Sequence, residues 1–245
     1  MLQVLDRIGI EAGERVLELG PGPGAFTIGA ARRVGQQGRL IAVDIQPEML
    51  AILDDRILDL GVANVTPVRG AIDDPNLEDN SVDAVLMVDA YHEFSHPYEM
   101  GSAMARALKP GGKLSIWVYA REGNELIIRF FEPFRKRVSS KLPWGLTKVL
   151  SMLAAIALWL LISLIYRPAR TFSPAFYRRL PMHDYLWYIY SLGFYTLYHT
   201  AFDKLSPELC AFISHDDLVE WFAEAGLTHV AISFRNGNSW RAQGR

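Results

Sequence analysis

Hydrophobic and polar positions along the first half of the chain predict strands that alternate with helices. Apolar runs rich in β-branched residues indicate strands at about 15–20, 39–44, 64–69, 83–89 and 113–119. Stretches with helical periodicity lie between them, at about 25–34, 47–60 and 97–108. This order is typical of an α/β domain with a doubly wound parallel sheet.

The end of the chain continues the same pattern. Residues 214–226 predict a helix, because Ser214 can cap it, acids occupy its first turn and Gly226 can end it. Strands are then predicted at 228–234 and 239–243. The predicted sheet therefore begins before residue 20 and finishes after residue 228, on both sides of an insertion.

A glycine-rich turn follows the first predicted strand. Residues 16–24 read Val-Leu-Glu-Leu-Gly-Pro-Gly-Pro-Gly, just before the first predicted helix. Such glycines allow a tight turn and let a ligand approach bare N–H groups at a helix N-terminus. Glu18 adds a carboxylate at the carboxyl end of the strand, where open α/β sheets bind their ligands. The same glycines, with Asp44 downstream, also fit a dinucleotide site, so they leave the ligand open.

Several motifs in order resemble the class I S-adenosylmethionine-dependent methyltransferases, of the type 11-like kind, over roughly residues 10–120. Residues 18–24 match that family's first motif, and residues 40–49 resemble its second strand with the ribose-binding acid. Residues 68–83 resemble its adenine-side loop, and residues 108–114 resemble its turn into the fifth strand. The order and spacing of these motifs favour S-adenosylmethionine over a dinucleotide.

The resemblance implies a doubly wound, seven-stranded Rossmann-like sheet whose last strand is antiparallel. It also implies S-adenosylmethionine as the cofactor. The cofactor-binding residues that it implies lie in the glycine turn and after the next strands: Glu18, Gly20, Gly22, Gly24, Asp44, Ile45, Ile72, Asp73 and Asp89.

Candidate catalytic residues follow the fourth predicted strand. Tyr91, His92 and Glu93 stand where the acceptor arrives in the family that the chain resembles. His92 is the candidate general base, because the unperturbed histidine pKa of ~6.5 lies close to working pH. Alternatively, His92 and Glu93 only hydrogen-bond the loop or begin the next helix. We predict no metal site, because no His, Cys or carboxylate cluster has metal-ligand spacing.

The predicted insertion, residues 121–205, is both apolar and basic. Residues 149–166 carry no charge over 18 positions and are apolar on all sides. As a helix this stretch would be ~27 Å long, against a bilayer hydrocarbon core of ~30 Å. Residues 121–182 contain 11 basic and three acidic residues. This combination favours contact with an anionic membrane surface.

A second uncharged stretch, residues 185–202, is rich in tyrosine and tryptophan. A single crossing would separate the last strands from the sheet that they complete. Either both stretches therefore cross as a hairpin, or the insertion dips into or lies on one leaflet. Gly193, His199 and the tyrosines favour the second arrangement. A lid that buries these residues against the sheet, or in a homodimer, is the alternative.

Composition adds limits on compartment and partners. A formal charge of −2 gives no indication of a nucleic-acid partner, and the single cysteine, Cys210, excludes an internal disulfide. Asp6 and Arg7 interrupt any apolar leader, so no export signal is predicted. We expect the protein on the cytoplasmic side of a membrane, or alternatively in the cytoplasm. The predicted domains are 1–120 with 206–245, and the insertion 121–205.

The resulting functional hypothesis is methyl transfer to an O, N or C atom of a lipophilic or membrane-presented small molecule. A quinone, an isoprenoid, a phospholipid amine or a lipid-linked sugar would qualify. One alternative is a soluble enzyme that methylates a small metabolite under a hydrophobic lid. Another is a non-catalytic nucleotide-binding protein of the same fold.

Overall fold

The computed structural model describes residues 9–245, in which seven strands form one sheet of order β3-β2-β1-β4-β5-β7-β6. Residues 1–8, on which the expectation of no export signal partly rests, lie outside the described residues. The strands are β1 Arg15–Leu19, β2 Arg39–Asp44, β3 Val65–Arg69, β4 Val82–Val88, β5 Leu108–Tyr119, β6 Ala231–Arg235 and β7 Ser239–Gly244. The helices that accompany them are α1 Thr27–Val34, α2 Pro47–Asp59 and α3 Pro97–Ala107.

The parallel part of the sheet places a crevice beside β1. Strand β1 pairs in parallel with both β2 and β4, so that Leu17 lies between Ile41 and Val85. Strands β2 and β3 lie on one side of β1, and strands β4 and β5 lie on the other. Ligands of open α/β sheets bind at such a switch point, outside the carboxyl ends of the strands. The topology therefore positions the residues that follow β1, β2 and β4 around one crevice.

The core explains why these strands read as continuous apolar runs. Ala30, Ala31 and Val34 of α1 are buried against the interior of β1 and β2, together with Leu53 of α2. Strands of a parallel sheet are covered on both faces, so nearly every position in them is apolar.

The last two strands form a hairpin. Asn236 and Gly237 both have left-handed backbones, with φ of 50° and 69°, as a two-residue type I′ turn requires. Thr228 and Arg245 exchange backbone hydrogen bonds of 2.6 and 2.9 Å beyond the hairpin's open end. The predicted Rossmann-like sheet with an antiparallel last strand is confirmed.

Strand β5 starts earlier than predicted, at Leu108 instead of residue 113. Leu108 pairs with Val82, and the next pair is Lys113 with Ala84. The Lys-Pro-Gly-Gly segment between them is thus accommodated as a bulge within the strand. Strand β6, by contrast, starts three residues later than the predicted position 228.

The chain divides into two compact units. The first contains the residues up to Val118 with 215–233 and 240–245, and the second contains 119–214 and 234–239. The first unit also holds helix α10, His215–Glu224. The predicted domain boundaries, at 120/121 and 205/206, stay a prediction.

The second unit is helical. It contains α4 Glu132–Arg137, α5 Trp144–Leu161, a π-helical turn Ile162–Tyr166, α6 Arg167–Phe172, α7 Pro174–Tyr177, α8 His183–Ser191 and α9 Phe194–Leu205. The helix from Trp144 to Phe172 is continuous over 29 residues and, by length and composition, could cross a membrane. Helices α8 and α9 return along it, since the ring of Phe202 lies 5.6 Å from that of Trp144.

Backbone pairing joins the two ends of the helical segment. Ala120 and Ile213 form a parallel bridge, and the Arg121 amide donates to the carbonyl of Ile213 at 2.9 Å. The side-chain amide of Asn124 donates to the carbonyls of Ala120 and Asn238, at 2.7 Å each. We call this paired region the neck of the insertion.

Candidate functional site

Three glycines shape the turn that follows β1. Gly20, Gly22 and Gly24 all have positive φ, at 69°, 51° and 84°. A Cβ on Gly20 would lie 2.4 Å from that of Ala90, and one on Gly24 would lie 2.7 Å from Leu53. A Cβ on Gly22 would meet no described atom within 4 Å. Packing therefore requires glycine at 20 and 24, whereas Gly22 borders open space that a ligand can approach.

Glu18 is a buried carboxylate at the carboxyl end of β1. It is 4% exposed, and its Oε2 has no hydrogen-bond partner among the described residues. Burial raises the pKa of Glu18 to about 7, against a smaller opposite effect of the neighbouring Thr27 hydroxyl. A buried acceptor without a partner is costly unless a ligand completes it. Glu18 is thus suited to a ligand group that carries N–H donors or positive charge.

Asp44 ends the neighbouring strand β2. Its Oδ1 accepts a hydrogen bond of 2.9 Å from the backbone amide of Gln46, which fixes the carboxylate at the edge of the sheet. Glu18 is paired with Ala42, two residues before Asp44, so the two carboxylates lie near the carboxyl ends of adjacent strands. A ligand in the crevice can contact both.

Two isoleucines lie exposed where β2 and β3 end. Ile45 is 48% exposed and Ile72 is 52% exposed, so both offer apolar surface that a ligand can contact. Asp73 is exposed, whereas Asp74 accepts hydrogen bonds from Arg106 at 3.2 Å and from the Asn76 amide at 2.7 Å. The position of Asp73 leaves it able to bind a ligand, and its role stays a prediction.

The segment after β4 brings Asp89, His92 and Glu93 together. Asp89 has φ of 57°, a left-handed conformation that is uncommon for non-glycine residues and often marks functional sites. The buried His92 ring lies between two carboxylates, with Nδ1 3.7 Å from Asp89 and Nε2 3.7 Å from Glu93. These carboxylates would stabilise the positive charge that the ring gains on accepting a proton.

Tyr91 is held by aromatic packing. Its ring centroid lies 5.6 Å from that of Phe94 and 5.0 Å from that of Trp221 on α10. Burial, assisted by Asp217, raises the pKa of Tyr91, so its hydroxyl stays protonated near neutral pH. Tyr91 also lines a cavity of about 970 Å³ between α3 and α10. This environment favours a packing or hydrogen-bonding role over proton abstraction.

The predicted residues thus form two groups around the sheet's carboxyl edge. Glu18, the glycine turn and Asp44 line the β1–β2 side, and Asp89, His92 and Glu93 follow β4. Sequence reasoning missed Thr27, although a polar first residue of the helix after a glycine turn is a usable signal. It also missed Ala90 and Trp221, whose contacts lie far away in the chain and leave no local pattern.

Fold and crevice together define a Rossmann-like nucleoside-binding domain with an acidic, glycine-lined ligand site. Residues 16–112 match the family model described as "Methyltransferase domain". These residues therefore carry a methyltransferase domain, and the predicted class I S-adenosylmethionine-dependent methyltransferase superfamily is confirmed for this part of the chain.

Relatives of known name match part of the chain. It is 33% identical over 127 residues to the ubiquinone/menaquinone biosynthesis C-methyltransferase UbiE of Ectopseudomonas mendocina (strain ymp), covering 51% of this chain and 50% of that protein. The same identity and coverage hold for the enzyme of that name from Pseudomonas putida (strain GB-1). The chain therefore spans about half the length of the curated relatives it matches.

Solved structures share the fold over nearly the whole chain. A SAM-dependent methyltransferase from Aquifex aeolicus matches with a TM-score of 0.57 and 18% identity, covering 99% of this chain and 87% of that one. Haemonchus contortus phosphoethanolamine N-methyltransferase 2, in complex with S-adenosyl-L-methionine, matches with a TM-score of 0.53 and 18% identity, covering 96% and 38%.

The crevice fits the cofactor of this superfamily. S-adenosylmethionine carries an ammonium group and a sulfonium, both cationic, and a ribose with two hydroxyls. The unpartnered oxygen of Glu18 and the carboxylate of Asp44 offer acceptors for such groups, and the open space over Gly22 leaves room beside the backbone.

Proposed function

We propose that the protein transfers a methyl group from S-adenosylmethionine to a lipophilic, membrane-presented small molecule. The observation that carries this proposal is the crevice in which Glu18, Gly22 and Asp44 meet at the ends of adjacent strands. A quinone ring carbon is our first candidate acceptor, because the relatives that match half of the chain are named as quinone-biosynthesis C-methyltransferases.

Each group of the crevice has a proposed task in holding the donor. Asp44 would accept hydrogen bonds from the ribose hydroxyls, and Glu18 would accept one from the ammonium group. Ile45 and Ile72 would cover the faces of the adenine, which accounts for their exposure. Holding donor and acceptor in line is worth effective molarities of ~10⁵ M or more.

Bound S-adenosylmethionine supplies an electrophilic methyl: the acceptor atom bonds to the methyl carbon while the C–S bond breaks and its electron pair stays on sulfur. An acceptor that carries a proton must lose it. His92 is the proposed base, and Asp89 and Glu93 would stabilise the resulting imidazolium. Tyr91, protonated at neutral pH, could donate a hydrogen bond to the acceptor.

The exposed apolar helix of the second unit supports a lipophilic acceptor, because enzymes that act on lipids must work where lipids are held. We place the enzyme at the cytoplasmic side of a membrane as part of this proposal.

Calorimetric titration with S-adenosylmethionine tests the donor site. Gly22→Ala should weaken binding at least tenfold, because the new methyl group occupies space at the crevice. Gly61→Ala is the matched control: Gly61 also has a positive φ, 61°, and a Cβ added there would meet no described atom within 4 Å, but it follows α2. Equal affinities for the two variants would show that the donor does not lie over Gly22.

The acceptor is tested with a labelled methyl donor and lipid extracts. We expect label in a lipid that gains the mass of one methylene, and loss of that product with Gly22→Ala. Transfer to a water-soluble fraction alone would overturn the lipophilic acceptor and leave the donor site intact.

A further inference from the structure

In the helix Trp144–Phe172, small residues lie on the buried face and large apolar residues lie on the exposed face. This is the reverse of a helix on the surface of a water-soluble protein. Thr147, Ser151 and Ala155 recur at every fourth position, so they share one face, and all three are buried. That face packs against α9, whose Leu197 is fully buried in the same cluster as Ala155. Small and hydroxyl side chains thus form the inside of this helix pair.

Large apolar side chains cover the outside. Val149, Leu153, Ile156, Trp159, Leu160 and Leu164 are all exposed, Leu164 to 71%. At roughly 100° per residue they and their neighbours spread over more than half of the helix circumference. In water this arrangement exposes a contiguous apolar patch of the kind that marks a protein or membrane interaction site. Small residues at helix contacts and large ones outside are typical of helices surrounded by lipid.

The return arm supports the same interpretation. Helices α8 and α9 contain no Asp, Glu, Lys or Arg from Tyr185 to Phe202. The hydroxyls of Ser163 and Tyr190 hydrogen-bond to each other across the pair at 3.0 Å, so both polar groups are satisfied without water. We call residues 144–205 the helical hairpin.

Charges mark the two ends of the apolar surface. Lys141 and Lys148 lie exposed near its start, and Arg167 and Arg170 near its end. The uncharged stretch between Lys148 and Arg167 is ~27 Å long as a helix, close to the ~30 Å hydrocarbon core of a bilayer. Lysine and arginine at both ends match anionic headgroups.

We propose that the helical hairpin inserts into the hydrocarbon core of an anionic lipid bilayer, with its two basic ends at the two headgroup layers. A hairpin that lay flat would leave part of this apolar surface in water, because the exposed side chains of Trp144–Phe172 spread over more than half of the helix circumference. This insertion goes beyond the methyl-transfer proposal and does not depend on it.

Vesicles of phosphatidylcholine and phosphatidylglycerol provide the first test, with bromine placed either near the headgroups or near the chain ends. Trp159 lies in the middle of the uncharged stretch and is exposed. We expect the fluorescence component lost in Trp159→Phe to be quenched more strongly by the deep bromines. Trp240→Phe, in β7 of the first unit, should leave that deep-quenched component intact.

Stronger quenching of Trp159 by the shallow bromines would show that the hairpin lies at the surface, and would overturn insertion. Absence of quenching, with the protein self-associated in sedimentation, would show instead that a second copy covers the apolar surface.

A matched pair of variants provides the second test. Leu160→Asp and Leu58→Asp each place a carboxylate at an exposed leucine, in the middle of the uncharged stretch of the hairpin and in α2 respectively, so neither disturbs packing. We expect Leu160→Asp to reduce retention on carbonate-washed vesicles by about 100-fold and Leu58→Asp to have no effect. Equal retention would overturn insertion. Titration with S-adenosylmethionine should give unchanged affinity for both, which separates this proposal from the donor site.

Discussion

Gly20 packs against Ala90 so closely that a methyl group on the glycine would lie 2.4 Å from the Ala90 Cβ. The two residues follow the neighbouring strands β1 and β4, so this contact sets how near the glycine turn lies to the segment carrying His92. We predict that Gly20→Ala lowers the free energy of unfolding by about 2–4 kcal/mol, through the clash and the positive φ. Urea denaturation measures it.

Adding Ala90→Gly to Gly20→Ala should recover part of that loss, because it removes the clashing methyl group. If the double variant shows the sum of the two separate losses, the contact is not the cause.

Glu18 predicts an unusual pH dependence of stability. Its pKa is about 7 in the folded protein against 4.5 when unfolded, so folding favours the protonated carboxyl. This stabilising contribution is complete below pH 4.5 and is lost as pH rises through 7, by about 3 kcal/mol. The difference between wild type and Glu18→Gln, measured by denaturation at a series of pH values, should follow this curve. A flat difference would contradict it.

Asp83 should behave with the opposite sign. Burial tends to raise its pKa, but the Lys109 ammonium at 2.6 Å and the Arg15 amide outweigh burial, and the net pKa is lowered. Its stabilising contribution is therefore present above the unfolded pKa of 3.8 and lost as pH falls below it. Asp83→Asn should lower stability by about 1 kcal/mol at neutral pH and by nothing at strongly acidic pH.

The role of His92 as general base is tested by the pH profile of turnover, once an acceptor has been identified. If it is the base, His92→Gln should lower kcat by about 10²–10⁴-fold and remove the fall in rate at acidic pH. His96→Gln is the control, because His96 is an exposed histidine in the same segment. An unchanged profile for His92→Gln would assign His92 to positioning the loop instead.

The buried pair of Glu132 and Arg135 should make the second unit sensitive to the loss of either partner. Arg135 donates to both carboxylate oxygens of Glu132, at 2.9 and 2.6 Å, and to the carbonyl of Pro207. Glu132→Gln leaves the guanidinium without a counter-charge and should cost about 3–5 kcal/mol. Replacing both residues, as in Glu132→Gln with Arg135→Met, should cost less than the single change. A melting temperature that is lower for the double variant than for Glu132→Gln would contradict this.

The fold could be predicted to within a few residues because its signals are local. Parallel strands form nearly continuous apolar runs, and glycines mark the turns between elements. The Asn236–Gly237 pair is likewise typical of the two-residue turn that joins the last two strands. The predicted start of β5 was wrong because a Lys-Pro-Gly-Gly segment has the composition of a turn, whether it ends a strand or forms a bulge within one.

The candidate site was predictable where one motif carries it, and not where distant segments meet. Glu18 and Asp44 stand at recognisable positions, but the contact of Tyr91 with Trp221 joins segments far apart in sequence. The helical hairpin shows the same limit. A stretch that is apolar on all sides does not indicate which side packs, and only the structure shows Ser151 inside and Leu164 outside.

The neck between Ala120 and Ile213 has a consequence for how this protein varies. The entropy cost of closing the loop grows slowly with its length, by about 0.6 kcal/mol per doubling, and the backbone hydrogen bonds of the neck fix where the loop begins and ends. The sheet is therefore nearly indifferent to the size of what is attached there. The helical hairpin that we propose to insert into a bilayer can therefore be lengthened or shortened at little cost to the stability of the sheet.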